Sequence, residues 1–283
     1  MVVLVTGAGG QLGQSLQFIA GDYPNIDFKF CDSKELDITN LENVEQIFEH
    51  YKPNFCINTA AYTAVDKAES ESETAFAINV IGAKNLAQVC KKFDTTLIHI
   101  STDFVFDGTS HVAYLETDVT SPKSVYGQTK LDGEKVIQDI WTKHIIVRTS
   151  WVYSQFGNNF LKTMMRLGSE RETLSVVNDQ IGTPTNAVDL ANAILKIITT
   201  HNLQPTTHNI YNFSNLGQCS WFDFAKKIFE IHNINVDLKP IPTTSYPTPA
   251  ERPKFSVLDK SKIIETFGIK IKSWDESLKT VVI

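Results

Sequence analysis

The chain has 283 residues, and 42% hydrophobic with 20% charged residues is the balance of a folded globular protein rather than a disordered one. Its net charge of −6, with only four arginines, argues against a general nucleic-acid binder, because such a protein needs a basic face. No apolar run approaches the ~20 residues of a membrane span, and the first basic residue is Lys29, so we expect neither a membrane helix nor a signal peptide but a cytoplasmic protein.

The first half of the chain alternates strand-like and helix-like patterns. Short apolar runs predict five strands, at Val2–Val5, Ile26–Cys31, Asn54–Asn58, Thr96–Ile100 and Ile145–Thr149. Amphipathic spacing predicts helices at Gly10–Ala20, from Asn40 to just before Pro53, at Ser72–Lys92 and at Ser124–Ile140. Strands that alternate with helices are typical of an α/β fold with a Rossmann-type, doubly wound parallel sheet.

The second half is less regular. Its patterns predict one strand, Leu174–Asn178, and helices at Ala187–Thr200, Trp221–His232 and Asp259–Phe267. Five of the ten prolines lie between Pro240 and Pro253, so we expect a fixed extended loop there. We predict a dinucleotide-binding domain of residues 1–150 plus about 184–214, and a smaller, irregular α/β C-terminal substrate cap of about 151–183 plus 215–283.

A glycine-rich turn follows the first strand. Gly7, Gly10 and Gly13 form G-x-x-G-x-x-G between Val2–Val5 and the first helix. Glycine permits a tight turn, lets backbone N–H groups approach a pyrophosphate and lets the helix pack closely on the strand, while the helix N-terminus attracts the anion. The strand before and the helix after favour a dinucleotide cradle over a glycine-rich turn without a ligand.

The acid that binds the adenosine ribose is expected about 20 residues beyond the cradle, at the end of the second strand. Asp32 lies there and favours a free 2′-hydroxyl, as in NAD, whereas Ser33 and Lys34 could hold a 2′-phosphate. The residues therefore leave NADH and NADPH open. Asp37 and Ile38 are predicted to lie on the adenine side, with a solvated loop acid as the alternative for Asp37.

A second motif, Tyr126-x-x-x-Lys130, lies in the predicted helix Ser124–Ile140. Residues i and i+4 share a helix face, so we expect the ammonium to lower the tyrosine pKa and make the phenol a better acid–base group. Thr102 follows the fourth strand, at the end of the sheet where ligands bind. Cradle, hydroxyl and Tyr–Lys pair together predict hydride transfer between a nicotinamide and a carbonyl or carbinol.

With these motifs the chain resembles the extended short-chain dehydrogenase/reductase family and, within it, the reductases of 4-keto sugar nucleotides. The resemblance covers nearly the whole chain, through segments 58–69, 101–106, 126–134, 148–153, 157–160, 178–185 and 246–253. It implies reduction of the C4 ketone of dTDP-4-dehydro-β-L-rhamnose, for cell-surface polysaccharide synthesis, with NADPH as cofactor and NADH as the alternative.

The resemblance implies that Tyr126 donates the proton, Lys130 tunes it and Thr102 orients the carbonyl. Motifs and resemblance together predict cofactor contacts, besides Tyr126 and Lys130, from Gly7, Gly10, Gln11, Leu12, Gly13, Asp32, Asp37, Ile38, Ala61, Tyr62 and Thr63. The predicted contacts with the dTDP-sugar substrate come from Asp66, Thr102, Asp103, Trp151, Asn159 and Arg252.

Several of these residues also have a structural interpretation. Trp151 suits a deoxysugar because its ring offers an apolar face to the methyl group, and a core tryptophan is the alternative. Arg252, in the proline-fixed loop, is the best candidate for the diphosphate, and a surface arginine is the alternative. The alternative for Asp66 is a helix N-cap. Asn79 is expected to face the site or the core, and His99, in a strand, is expected to be structural.

No metal cluster is predicted. Some relatives carry acidic residues on the first helix that bridge a metal between two subunits, whereas Gln14 and Ser15 occupy that stretch here, so we expect no metal and a monomer or weak homodimer. The four cysteines form no C-x-x-C pair and are predicted to be reduced core thiols.

Two other functions stay open. One is a nucleotide-sugar epimerase or dehydratase, which shares the cradle and the Tyr–Lys pair. Asp103 is followed by Phe104 rather than by a second acid, which weakens the dehydratase interpretation. The other is a non-catalytic regulatory binding subunit with the same fold.

Overall fold

The computed structural model describes residues 1–200 and 209–282. Its strands are β1 (Val2–Thr6), β2 (Asp27–Cys31), β3 (Phe55–Asn58), β4 (Thr96–Thr102), β5 (His144–Thr149), β6 (Val152–Tyr153), β7 (Thr173–Val177), β8 (Ile181–Gly182), β9 (Thr185–Asn186), β10 (Ile210–Asn212), β11 (Cys219–Ser220) and β12 (Asp237–Ile241). Its α-helices are α1 (Gln11–Ile19), α2 (Leu41–Tyr51), α3 (Val65–Ala68), α4 (Ser72–Phe76), α5 (Ala83–Lys92), α6 (Val125–Ile140), α7 (Phe160–Glu170), α8 (Ala187–Thr199), α9 (Trp221–His232), α10 (Ser261–Phe267) and α11 (Trp274–Leu278).

Six strands form the central sheet in the order β10-β5-β4-β3-β1-β2, and every neighbouring pair is parallel. The predicted α/β fold with a Rossmann-type parallel sheet is confirmed. The strand order reverses beside β1, because the chain goes outward to β2 and then returns to β3 on the other side. A crevice at such a reversal, outside the carboxyl ends of the strands, is where ligands bind in these sheets.

Both faces of the sheet are covered, which explains why its strands are apolar without alternation. Val3 and Val5 belong to a core that includes residues of α1 and α8, and Leu4 between them belongs to a core with residues of α2 and α5. All four cysteines are buried and unpaired, as predicted for core thiols.

The helix predicted over Ser72–Lys92 is interrupted. Between α4 and α5 the chain makes a π-helical turn, Ala77–Gly82, an irregularity that recurs at functional sites. Gly82 permits close packing there, because a Cβ at this position would lie 2.5 Å from Ile38 Cδ1. The spacing of apolar residues did not reveal the π-helical turn, because one extra residue per turn barely changes that spacing.

Part of the predicted cap, about 151–183 plus 215–283, has a core of its own. Helices α7 and α9 pack on the paired strands β7 and β12 around buried apolar side chains that include Tyr153, Leu161, Phe224, Ile228 and Phe229. The prediction of a loop from Pro240 onward is wrong at its start, because β12 runs through Pro240 to Ile241. Proline fits there because β12 pairs only with β7 within the described residues, so the missing N–H breaks no second ladder.

The chain returns to the main sheet after the first 150 residues. Helix α8 packs on α1, and β10, which the sequence did not predict, pairs with β5. Residues 201–208 of the predicted 184–214 segment lie outside the described residues. Among the residues that the structure describes, no helix is long and apolar enough to cross a membrane.

Candidate active site

A cleft of about 650 Å³ opens between the carboxyl ends of the parallel strands and the cap. Its walls come from the segments after β1, β3, β4 and β5 and from several cap elements. The predicted site residues that line it are Gly10, Gln11, Leu12, Ala61, Thr63, Thr102, Asp103, Tyr126, Lys130, Trp151, Asn159 and Arg252. The fold thus brings both predicted motifs and most of the predicted substrate contacts to one place.

The glycine turn shapes one end of this cleft. Gly7 has a φ of +65°, and a Cβ there would lie 2.6 Å from the Ala60 nitrogen. A Cβ on Gly13 would lie 2.6 Å from the Gly7 carbonyl oxygen, so both glycines act by close packing beneath the wall. Helix α1 begins after Gly10 without a side-chain cap, unlike α2, α6 and α7. Its first N–H groups and its positive dipole end are therefore left for an anion such as a pyrophosphate.

Thr102, Tyr126 and Lys130 meet in the middle of the cleft. Thr102 ends β4, while Tyr126 and Lys130 lie about one turn apart on α6. The Thr102 hydroxyl donates to Asp103 Oδ1 at 3.1 Å and accepts the backbone N–H of Phe104 at 3.2 Å. The three side chains therefore offer two hydroxyls and one amine to a ligand that enters the cleft.

Burial dominates the electrostatics of this group. It raises the pKa of Tyr126 to about 12; the hydrogen bond with Thr102 lowers that pKa, and the charge of Asp103 raises it. Burial also lowers the pKa of Lys130 to about 8, although the charge of Glu134 raises it. The expected lowering of the Tyr126 pKa is therefore not found, because desolvation of the phenol by burial is the largest effect on it. Tyr126 stays protonated at neutral pH and can act as an acid.

A buried polar chain lies behind Lys130. The Lys130 ammonium donates to the Ile100 carbonyl at 2.6 Å and lies 3.4 Å from His99 Nε2. Asn58 Nδ2 donates to His99 Nδ1 at 3.0 Å, and Asn58 Oδ1 accepts from the Thr6 hydroxyl at 2.7 Å. Burial and the charge of Lys130 hold the pKa of His99 well below its usual range. His99 is thus a satisfied core histidine, as predicted, and it also packs beside the buried amine.

Asn79, on the π-helical turn, holds the segment after β3. Its Oδ1 accepts the backbone N–H of Tyr62 at 2.9 Å, and its Nδ2 donates to the Tyr62 carbonyl at 3.2 Å and to Thr129 Oγ1 at 3.1 Å. The neighbouring Ala61 and Thr63 line the cleft. The Tyr62 side chain is not in the wall, and its hydroxyl donates to Glu71 Oε2 at 2.5 Å. Asn79 therefore fixes the backbone of Tyr62 between two residues of the cleft wall.

The predicted adenine-side residues lie outside the cleft lining. Asp32 Oδ1 accepts the backbone N–H of Lys34 at 2.8 Å, so the carboxylate closes its own turn. Asp37 Oδ1 likewise accepts the N–H and the hydroxyl of Thr39, at 2.9 Å and 2.7 Å. Ile38 is buried in the core between α2 and α5. The carboxylates of Asp32 and Asp37 therefore each close a local turn, and none of the three residues lines the cleft, although Asp32 follows Cys31, whose carbonyl accepts the N–H of Ala8 in the glycine turn.

The cap contributes an aromatic wall. Trp151 is half-buried, lines the cleft and has a φ of +46°, which is unusual for a residue other than glycine. Its ring stacks on Trp221, with centroids 3.5 Å apart and planes inclined by 8°. Phe160 packs against Trp221 from the cap core, with ring centroids 4.6 Å apart. Trp151 is therefore part of the site wall and not simply a core tryptophan.

Hydrogen bonds from Asn159 and Ser154 to Gln11, here called the polar clasp, join the cradle helix α1 to the cap. The Asn159 side chain caps α7 by accepting the N–H of Lys162, and its Nδ2 donates to Gln11 Oε1 at 2.9 Å. The Ser154 hydroxyl donates to the same Gln11 oxygen at 3.2 Å. The Asn159 amide is thus engaged in holding the cap segment against α1, at the edge of the cleft.

Arg252, in the cleft wall, forms an ion pair with Asp66, with Arg252 Nη2 2.7 Å from Asp66 Oδ2. Asp66 Oδ1 also accepts the Ala250 N–H at 3.3 Å. The N-cap alternative for Asp66 is wrong, because α3 begins at Val65. Arg252 lines the cleft, and only 22% of its side-chain surface is exposed, so it is not a free surface arginine.

The whole chain matches known proteins. A protein-family model described as the RmlD substrate binding domain matches residues 1–283. A dTDP-4-dehydrorhamnose reductase of Aggregatibacter actinomycetemcomitans is 42% identical over 287 residues, which cover 99% of this chain and 97% of that protein. This chain belongs to the dTDP-4-dehydrorhamnose reductase family.

Crystal structures of dTDP-4-dehydrorhamnose reductases have the same fold. The enzyme of Clostridium acetobutylicum is 43% identical with a TM-score of 0.92, and the match covers 99% of this chain and 97% of that one. The enzyme of Bacillus anthracis, in complex with NADP, is 43% identical with a TM-score of 0.93, and the match covers 98% and 97%. The agreement over both halves includes the cap as well as the parallel sheet.

One residue of the cleft wall, Trp221, was not predicted from the sequence as a site residue. Trp221 lies 70 positions beyond Trp151 and was predicted only as the start of a helix. Ser220 and Asp223 form a capping box that fixes where α9 begins, and this signal is readable in the sequence. The direction of the Trp221 ring depends on how α9 packs, which no local pattern encodes. Across residues 1–200 and 209–282, no group of three or more metal-ligating side chains is clustered.

Proposed function

We propose that the chain reduces the C4 ketone of dTDP-4-dehydro-β-L-rhamnose to dTDP-L-rhamnose with NADPH. The observation that carries the proposal is the convergence of Thr102, Tyr126 and Lys130 on one cleft, with an uncapped helix N-terminus at one end and an aromatic wall on the cap side. Relatives that match over nearly their whole length and are named dTDP-4-dehydrorhamnose reductase support it.

The cradle suits the pyrophosphate of the cofactor. Gly10, Gln11 and Leu12 would face it directly, with Gly7 and Gly13 shaping the turn beneath. NADPH is proposed over NADH because the Asp32 carboxylate is engaged in its own turn, while Ser33 and Lys34 are exposed beside it. The Bacillus anthracis relative in complex with NADP supports this choice. Bound NADPH would supply the hydride for the carbonyl carbon.

Tyr126, Thr102 and Lys130 would carry out the proton transfer to the sugar. Tyr126 stays protonated at neutral pH, so it can give its proton to the oxygen of the sugar as negative charge develops there. Thr102 would hold the same oxygen by its hydroxyl, and Lys130 would stabilise the resulting tyrosinate and contact the cofactor ribose. This stabilisation matters most in the transition state, because the charge appears only then.

The remaining contacts would hold the sugar nucleotide. Trp151 would present its ring to the deoxysugar, and Asp103 and Asn159 would lie at the edges of its pocket. The diphosphate is an anion and the protein carries a net charge of −6, so its binding needs a local cation. Arg252 can supply this cation if its guanidinium leaves the Asp66 carboxylate and binds phosphate oxygens instead.

The two parts of the chain would divide the work. Residues 1–150 with about 184–214 would bind the cofactor, and about 151–183 with 215–283 would close over the sugar nucleotide. We expect a cytoplasmic enzyme that works as a monomer or weak homodimer without a metal.

A coupled assay tests the proposal. Upstream enzymes would generate dTDP-4-dehydro-β-L-rhamnose in place, and the purified protein would be added with NADPH and, separately, with NADH. Substrate-dependent loss of nicotinamide absorbance, faster with NADPH, is expected. No oxidation with either cofactor, given a working supply and a folded protein, would contradict the reductase and favour an epimerase, a dehydratase or a binding role.

A further inference from the structure

The partner of Trp151 in the aromatic wall is itself a wall residue. Trp151 and Trp221 both line the cleft, and their rings overlap face to face at 3.5 Å and 8°. Aromatic pairs in proteins usually have centroids 4.5–7 Å apart in offset or edge arrangements. So close a parallel stack leaves the two indoles little freedom to move relative to each other.

Trp151 is also fixed from other directions. Its φ of +46° persists only where the surroundings enforce it, and such strain concentrates at functional sites. Gly182 leaves just enough room for the ring, because a Cβ at that position would lie 2.6 Å from Trp151 Cε2. The Trp151 carbonyl accepts the N–H of Thr185 at 3.1 Å, which ties the strained residue to the segment after β8.

Trp221 in turn is anchored in the cap. It is the first residue of α9, whose start is fixed by the capping box of Ser220 and Asp223. Phe160 and Phe224 pack on it, with ring centroids at 4.6 Å and 6.4 Å. Through the stack, the packing of the cap core therefore also restrains the Trp151 indole in the cleft wall.

We propose that Trp221 is a positioning residue for the sugar of the sugar nucleotide and that it acts through Trp151. This inference rests on the proposed function, since it assumes that a sugar binds against the Trp151 ring. A loose indole would have to be immobilised whenever a sugar bound, whereas the stack immobilises it beforehand. No hydrogen bond of Thr102, Tyr126 or Lys130 found among the described residues involves Trp221. Its loss should therefore weaken sugar binding and spare the chemical step.

The main test replaces Trp221 by alanine and by phenylalanine. For Trp221→Ala we expect KM for the sugar nucleotide to rise about five- to tenfold, which is the strength of one aromatic pair, while kcat and KM for NADPH stay within about twofold. The exciton couplet of the stacked indoles in the far-ultraviolet circular dichroism should disappear. Trp221→Phe, which keeps an aromatic face against Trp151, should restore most of the sugar affinity.

A second variant tests the same contact without removing Trp221 from the cap core. Gly182→Ala should push the Trp151 ring out of place and raise KM for the sugar nucleotide in the same way.

Trp274→Phe is the matched control for the Trp221 variants, because Trp274 packs on Phe224 in the same aromatic cluster but does not line the cleft. It should leave KM unchanged.

Three results would overturn the inference. In the first, the couplet is lost from Trp221→Ala but KM for the sugar nucleotide is unchanged. In the second, KM for NADPH rises as much as KM for the sugar nucleotide, which would indicate general damage. In the third, Gly182→Ala binds the sugar nucleotide normally. A wild-type protein that turns over no sugar nucleotide would instead remove the proposed function, and this inference with it.

Discussion

The two walls of the cleft are built on different principles. The sheet-side wall consists of polar side chains, Thr102, Tyr126 and Lys130. Thr102 and Lys130 are buried and hydrogen-bonded to neighbouring groups, and the buried His99 lies behind Lys130. The cap-side wall, formed by Trp151 and Trp221 with Phe160 packed behind Trp221, consists of two stacked rings beside a strained backbone. Polar side chains can transfer a proton and stabilise charge on the substrate, whereas aromatic rings can only shape the pocket and exclude water from it. Damage to the first should reduce turnover, and damage to the second should reduce affinity.

The largest effect is expected at the acid of the sheet-side wall. Tyr126→Phe removes the proton donor and keeps the ring, so kcat should fall by about 10²–10⁴ while both KM values stay nearly constant. Steady-state kinetics would measure the fall, and cofactor titration would show that binding persists. A variant with near wild-type turnover would remove Tyr126 from the mechanism.

The foundation of the same wall is a buried ion pair. Arg148 on β5 contacts Glu134 on α6 through three hydrogen bonds, at 2.6, 2.9 and 3.3 Å, and both side chains are 3% exposed or less. Arg148→Met leaves an unpaired buried carboxylate, so the free energy of unfolding should drop by about 3–5 kcal/mol in urea titration. The double variant Arg148→Met with Glu134→Leu should recover most of that loss. A single variant as stable as the wild type would show that the pair does not anchor α6.

A smaller effect concerns Asp103, which lies between Thr102 and the cap. Burial raises its pKa to about 6, so the folded chain retains a proton that the unfolded chain loses at lower pH. The resulting stabilisation is present below the usual aspartate pKa and is lost as the pH rises through about 6. Relative to the wild type, Asp103→Asn should therefore gain about 2–3 kcal/mol in stability between pH 4 and pH 7.5.

Thermal and urea unfolding at several pH values would measure this gain. The exposed Asp22→Asn serves as the matched control and should show no such pH-dependent difference. An Asp103→Asn variant whose stability follows that of the wild type at every pH would show that the carboxyl is not desolvated.

The smallest effect is expected where the cap meets the cradle helix α1. Asn159→Ala removes the cap of α7 and the contact with Gln11, so stability should fall by about 1 kcal/mol and KM for the sugar nucleotide should rise about twofold to fivefold. Asn40→Ala is the control, because Asn40 caps α2 in the same way and does not line the cleft. It should lose similar stability without a change in KM. Equal KM values in the two variants would show that the clasp is only structural.

The two walls also differ in how well the sequence predicted them. The glycine turn, the Tyr126–Lys130 spacing and Thr102 at a strand end are local patterns, and the structure brings all three to one cleft. Asp32, from its distance to the cradle, and Asp37 were predicted to contact the cofactor, and in the structure each carboxylate also closes its own turn. Spacing locates an acid at the end of a strand but does not say which N–H groups it will meet.

The sequence by itself determined the alternation of strands and helices, and hence the parallel sheet and the end of it that carries the site, because hydrophobic period and turn chemistry are local properties. Only the tertiary structure decided the pKa values of Tyr126 and Lys130, because burial depends on every element packed around the cleft. It alone also decided the pairing of Trp151 with Trp221 and of Asp66 with Arg252. Those contacts join residues 70 and 186 positions apart, and only the packing of the cap on the sheet brings them together.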